Sequence, residues 1–376
     1  MGRTNNNQNY QKNAPKQKKQ SGVSHRKLKI ICGILAPLAL LISGAWAFWN
    51  YFPDAPVADV QHGSIAENRI QAYQGGEEEF DEMPGLRAGV YTFLVTGDDD
   101  GFGGTDVIMV GLLDTEAGSL DVLSIPRDTA VNVPWAVKKA NTYQTFAHRI
   151  DSEFEHPIYG MLHGVRKLIG YQPNNWIALE LDGFVQLVDA IGGVDFNVPR
   201  TMRYSDPGQN LFIDLPAGER TLTGQQAMWV VRYRGYVTGD IGRIQMQHEF
   251  LGALVDQLLR PQNILRVDEF VNIFRENVET DMDLRNLAFF AQQFIQLDRE
   301  NIRFHAVDET IGNINDHVNG ISYVTLYLEP WLNLINTYFN PYNFEITLDD
   351  VEILTRNENR EFFVTGGAEM FTNWAR

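Results

Sequence analysis

Cysteine is almost missing from this chain of 376 residues, whose one thiol is Cys32. No disulfide can close within it, so cysteine usage permits an oxidising exterior without demanding one. Its length suffices for one large domain or two ordinary ones, each with a full apolar core. Several catalytic signatures are missing as well: there is no nucleophile elbow, no HExxH, no P-loop and no cysteine placed to act as a nucleophile. Basic residues are scarce, 31 Lys and Arg against 48 Asp and Glu, for a formal net charge of −17. Neutralising nucleic-acid phosphates needs the opposite balance, so the composition argues against a nucleic-acid partner. Nor is there an internal repeat or a sustained heptad.

The basic residues that do occur are unevenly spread. Arg3, Lys12, Lys16, Lys18, Lys19, Arg26, Lys27 and Lys29 crowd the first 29 residues, which hold no acid. Ile30 to Trp49 then carries no charge at all. About 20 residues at roughly 1.5 Å each match a hydrocarbon core about 30 Å thick. Trp46, Phe48, Trp49 and Tyr51 gather at the far end, as in an interfacial aromatic belt. With the basic flank leading, the expected topology is a single-pass type II membrane protein whose body lies outside the cytoplasm. Ala45-Trp46-Ala47 has the form of a signal-peptidase site. The apolar stretch exceeds a usual signal core, and a bulky aromatic occupies the middle of that motif, so a retained anchor is expected.

The chain therefore divides into a basic, Asn- and Gln-rich disordered arm (1–29), a transmembrane helix (30–49) and an extracytoplasmic linker (50–86). A core (87–262), a C-terminal part of the same domain (263–345) and a weakly patterned tail (346–376) follow. Within the core, VYTFLVT (90–96), VIMVGLLD (107–114) and SLDVLSI (119–125) read as strands, the last two joined by a hairpin at Thr115–Gly118. Helical spacing follows at 142–151 and 156–169. WIALEL (176–181) and VDFNV (194–198) read as strands around a helix at 182–192. Thr223 with Gln226 forms a capping box for a helix through about Tyr233. A long helix at 241–260, helices near 267–277 and 283–297 and a strand at 302–307 complete the reading. Strands interleaved with helices predict an α/β fold with a buried sheet.

Arginines and aspartates stand where strands stop or helices begin. Asp98 and Asp106 rim a Gly/Asp loop between two strands. They could share a hard cation with phosphate oxygens, or form an acidic turn. Arg127 follows Pro126 at the carboxyl end of a strand, where ligands bind in open α/β sheets, or it pairs on the surface with Asp128. Lys138-Lys139, taken alone, reads as a solvated basic pair. Arg232 and Arg234 close one helix, and Arg243 sits in the first turn of the next, whose N-terminus favours anions and which Asp240 can cap. Gln247 shares the face of Arg243. Guanidinium forks onto phosphate oxygens in pairs. Internal salt bridges to Asp182, Asp189 or Asp206 are the alternative use of these arginines.

Taken together, FLVTGDDDGFGGTDVIMVGL, LDVLSIPRDTAVNVP, KKANTY, WIALELDGFVQLVDAIGGVDFNVP, LFIDLPAGERTLTGQQAMWVVRYR and GDIGRIQMQHEFLGALV resemble the LytR-CpsA-Psr family over roughly 88–260, in order and spacing. The resemblance implies a three-layer α/β/α domain with a central mixed sheet. It also implies transfer of a glycopolymer from a polyprenyl-pyrophosphate carrier to peptidoglycan, at the membrane. Asp98 and Asp106 match the family's Mg²⁺ (or Mn²⁺) ligands. Arg127, Arg232, Arg234 and Arg243 match its pyrophosphate-binding arginines, with Lys139 and Gln247 as further contacts. Asp128 and Asp240 match supporting acids, and Arg127, Asp98 and Arg243 carry the expected catalysis. Departures are Gly104-Thr105 for the usual Arg-Ser, Ala140 for Ile, and an unusual segment at 144–165. A polyprenyl-pyrophosphate hydrolase and a non-catalytic lipid-pyrophosphate binder are the competing readings.

Overall fold

The computed structural model describes residues 85–98, 105–152, 154, 156–236, 240–264, 274 and 278–374. The proposed arm, membrane helix and nearly all of the linker lie outside them, and no described helix is long and apolar enough to cross a membrane. The expected helix near 267–277 falls almost wholly outside them too.

The hydrophobic runs are strands, as the sequence predicts, and the expected hairpin at Thr115–Gly118 joins the second to the third. Strands β1 (Val90–Asp98), β2 (Thr105–Asp114) and β3 (Ser119–Ser124) form an antiparallel meander. Strand β4 (Asn175–Glu180) adds parallel to β1, and β10 (Ile302–Ala306) adds parallel to β3. The short β9 (Val278–Thr280) closes the far edge antiparallel to β4. The order β10-β3-β2-β1-β4-β9 makes a mixed six-stranded sheet. Alternate residues of each strand feed opposite faces. Val90, Leu94 and Val110 pack with Met161 and Val165 of the helix at Ile158–Ile169 and with Trp331 of the helix at Leu328–Leu334. Tyr91 and Leu113 pack on the other face with Val255 and Phe289, from the helices at Asp240–Leu258 and Leu284–Gln296. Helices thus cover both faces, which is why these strands read as near-continuous apolar runs.

In chain order, the helices that frame the sheets and the site are α1 (Thr142–Thr145), α2 (Ala147–Ile150), α3 (Ile158–Ile169), α4 (Leu181–Ala190), α5 (Gly224–Arg232), α6 (Asp240–Leu258), α7 (Leu284–Gln296) and α8 (Leu328–Leu334). The capping box forms at the start of α5: Thr223 Oγ1 accepts from the Gln226 amide, and Gln226 Oε1 accepts from the Thr223 amide. Two antiparallel pairs, β5 (Val194–Val198) with β8 (Gly218–Leu222) and, between them in the chain, the hairpin of β6 (Met202–Asp206) with β7 (Leu211–Leu215), build a second apolar cluster with α4, α5 and α6. Gly224 lets α5 sit against α4, since a Cβ there would lie 2.1 Å from the Val185 carbonyl oxygen.

Two expectations need correction. The helical spacing at 142–151 yields two single turns, not one helix, because Phe146 leaves helical geometry (φ −112°, ψ 25°) and packs its ring on Trp135. The tail at 346–376 is not featureless. Strands β13 (Leu354–Arg356) and β14 (Phe362–Val364) pair there, beside β11 (Gly312–Val318) and β12 (Ile321–Leu326), whose pairing was also unforeseen. Arg356 donates twice to Asp316, at 2.6 and 3.0 Å, tying the two hairpins together.

Candidate anion-binding site

The site begins at a break in strand register. β1 and β2 pair regularly up to Gly97 with Val107, and the next pair is Asp98 with Thr105. Asp106 is the extra residue of that bulge, which re-aims its side chain off the strand alternation. Thr105 is buried, and its hydroxyl lies 2.7 Å from the Gly97 carbonyl oxygen and 2.7 Å from that of Val107. It donates its one proton to either, so the hydroxyl at this position serves the bulge.

Three arginines from three segments converge on Asp106. Arg127, three residues past the end of β3, donates to Asp106 Oδ1, and Arg234 donates to Oδ2 at 2.7 Å. Arg243, only 4% exposed, lies in the first turn of α6. Burial pushes the Asp106 carboxyl upward, but the fields of Arg127, Arg243 and Arg234 outweigh it and hold the group below the usual aspartate range. The surface pair of Arg127 with Asp128 is secondary, because its nitrogen–oxygen separation of 3.7 Å is too long for a hydrogen bond. Asp128 instead forms an ion pair with Lys139 at 3.0 Å, and the Lys139 ammonium lies 5.6 Å from the centre of the Tyr323 ring.

The solvated reading of Lys138-Lys139 is wrong for Lys138, which is 0% exposed. Its ammonium donates to the Val133 carbonyl at 2.7 Å and to Asn373 Oδ1 at 3.2 Å, near the rings of Trp374 and Phe371. Lys139 is therefore the lysine associated with the arginine network, through Asp128.

Asp106, Ser124, Arg127, Arg243, Ile244 and Gln247 border a cavity of about 10 Å³, room for a single water. Arg243 and Gln247, four residues apart, both face it, as helical spacing predicts. Gln247 Nε2 donates to the Val231 carbonyl at 3.0 Å, fixing α6 to the end of α5. Arg232 is the half-buried last residue of α5. Asp240 opens α6, but its side chain and that of Asp98 lie outside what is described. Of the alternative partners for the arginines, Asp189 accepts the Gly224 amide at 2.7 Å and Asp206 accepts the Gly208 amide at 3.1 Å. Ser124 and its hydrogen-bonding partner His248 escaped the sequence reading, since residues so far apart leave no local pattern.

Three guanidiniums around one carboxylate leave a net positive cavity rim. A phosphate could take over the hydrogen bonds now made to Asp106, with two oxygens matching each planar fork. No group of three or more His, Cys, Asp or Glu side chains among the described residues could hold a metal alone. Each Asp106 oxygen keeps a further lone pair beside its arginine bond. That suits a hard cation of the Mg²⁺ kind, which binds one or two carboxylates together with substrate phosphates.

Comparison with known proteins agrees with this architecture. The LytR_cpsA_psr family profile matches residues 59–336, well over half of the chain. The polyisoprenyl-teichoic acid–peptidoglycan teichoic acid transferase TagU of Oceanobacillus iheyensis is 27% identical over 309 residues, covering 81% of this chain and 91% of its own. The probable cell wall biosynthesis protein LcpB of Corynebacterium glutamicum is 36% identical over 173 residues, 46% of this chain and 38% of that protein. The match to the TagV transferase of Bacillus subtilis spans 63% of that relative's length. Among solved structures, B. subtilis TagV has the same fold, with a TM-score of 0.57 at 22% identity over 69% of this chain and 100% of that one. TagT bound to LI-WTA gives 0.53 at 17% identity, over 77% and 99%. This chain belongs to the LytR-CpsA-Psr family.

Proposed function

We propose that this protein is a membrane-anchored phosphotransferase that moves a glycopolymer from a polyprenyl-pyrophosphate carrier onto peptidoglycan. The observation that carries the reading is the convergence of Arg127, Arg234 and Arg243 on Asp106 beside a cavity. Relatives named as polyisoprenyl-teichoic acid–peptidoglycan transferases support the choice of substrates.

In this reading the pyrophosphate binds over the mouth of the cavity and draws Arg127 and Arg234 from Asp106 to its own oxygens. Arg232 and Lys139 add donors at the rim, while Asp128 holds Lys139 in place. An acceptor hydroxyl on peptidoglycan attacks the phosphorus that carries the sugar. The new P–O bond forms as the bond to the bridging oxygen breaks, the leaving polyprenyl phosphate keeps the electron pair, and the hydroxyl proton passes to that phosphate or to solvent. The guanidiniums stabilise the charge that grows on the leaving phosphate and the equatorial oxygens, so positioning and electrostatics supply most of the catalysis. Asp98 and Asp106 would hold Mg²⁺ or Mn²⁺, which would add further charge neutralisation at the phosphates. Asp240 would orient Arg243 within the first turn of α6.

The test gives the full-length protein in lipid vesicles a sugar-labelled lipid-pyrophosphate donor and peptidoglycan, with and without Mg²⁺. The proposal expects label covalently attached to peptidoglycan, one polyprenyl phosphate released per polymer, and loss of both on chelation. Label released as free polymer would favour a hydrolase. Tight donor binding without turnover would favour a carrier-binding protein.

A further inference from the structure

We propose that Ser124 donates a hydrogen bond to the one water the cavity has room for, which bridges it to the bound pyrophosphate, and that His248 sets the direction of its hydroxyl. The inference rests on the donor site proposed above but adds residues that neither the family resemblance nor the arginine pattern supplies.

Ser124 ends β3 and is 3% exposed, yet it borders the cavity shared by Asp106, Arg127, Arg243 and Gln247. Its Oγ lies 2.7 Å from Nε2 of His248, which follows Gln247 on α6. The imidazole also lies tilted against the ring of Phe304 on β10, with 5.6 Å between ring centres. Burial first, and the neighbouring His305 second, keep His248 down at about 4, so the imidazole is neutral at working pH. His305 in turn is hydrogen-bonded to Asp121, which also accepts two bonds from Arg303.

A neutral imidazole has one N–H and one bare nitrogen, and a serine hydroxyl has one proton and two lone pairs. Two arrangements satisfy the 2.7 Å contact. If Nε2 is bare, the serine spends its proton on the histidine and turns only lone pairs to the cavity. If Nε2 carries the proton, it donates to Oγ, and the serine proton is left to point at whatever fills the cavity. A water that turns its hydrogens to an anion at the cavity mouth offers its lone pairs to donors behind it, and only the second arrangement makes Ser124 such a donor. His248 is then a positioning residue, and Ser124 a binding residue made useful by it.

The experiment measures binding of geranyl pyrophosphate to the full-length protein and, separately, the ¹⁵N shifts of the His248 ring. We expect a protonated Nε2 and a bare Nδ1. Ser124→Ala should weaken binding about tenfold, the upper scale of one net hydrogen bond, since a bridging water is nearly as good as a direct contact. His248→Leu should lose as much, because an undirected hydroxyl is a poorer donor. His248→Gln should restore binding to within about threefold of wild type, since its amide N–H can stand in for Nε2. A bare Nε2, or Ser124→Ala binding as tightly as wild type, overturns the inference. Should wild type itself not bind geranyl pyrophosphate, the proposed function fails, and the ring tautomer still decides whether His248 aims the hydroxyl into the cavity.

Discussion

Asp106 is the residue on which the arginines meet, and its ionisation links the site to stability. Its carboxyl is held below its ordinary range in the folded protein. A carboxylate depressed in this way contributes stability that is full above the unfolded value, near 3.9, and lost as pH falls through the folded value. Asp106→Asn removes that contribution. Denaturation series should show wild type losing more stability than the variant as pH drops below about 4, near the unfolded carboxylate value. Parallel curves would mean that the arginines do not engage Asp106 in solution. The arginines themselves were legible in the sequence because each stands at a strand or helix end. Asp106 was legible only as a loop rim residue, since the bulge that turns its side chain is a tertiary feature of the β1–β2 pair.

At the scale of elements, the apolar strands of the central sheet and the capped helix announced themselves, while single helical turns, three-residue strands and the β11–β12 hairpin did not. The capping box at Thr223 and the apolar runs of β1 to β3 are strong local signals. β13 and β14 are three residues each, too short for any alternation to stand out, and they exist because they pack on the rest of the fold. The segment after them is what buries Lys138: Phe371 donates its amide to Asn132, and Trp374 lies against Tyr323 and Phe362. Burial brings the Lys138 ammonium down to about 8. The unfolded chain then holds more protons than the folded one between about 8 and about 10.4, so this lysine makes stability rise with pH across that window. Lys138→Met should lack the rise. Chemical denaturation of both proteins at the two ends of the window checks it, and equal slopes would place the ammonium in water.

For the whole molecule, the charge distribution predicts a topology. An acid-free basic arm with eight positive charges precedes an uncharged stretch from Ile30 to Trp49, so the body beyond carries a formal charge of −25, more acidic than the −17 of the whole chain. We expect protease added to spheroplasts to digest the chain beyond about residue 50, just past the apolar stretch, and to spare the arm. A protected body, or a mature N-terminus at Phe48, would contradict a retained type II anchor. Such an anchor would hold the cavity near the outer leaflet, within reach of a lipid-linked donor.

The central claim is that Arg127, Arg234 and Arg243 act together on one pyrophosphate, and affinity for geranyl pyrophosphate in single Arg→Lys variants tests it most directly. Lysine keeps the charge but loses the planar fork, and a charge-assisted hydrogen bond is worth roughly 1.5–3 kcal/mol. Each variant, compared at matched stability, should therefore bind roughly ten- to a hundredfold more weakly than wild type. Arginines engaged only in surface pairs contribute about 0–1 kcal/mol and tolerate lysine. Wild-type affinity in all three variants would contradict the account.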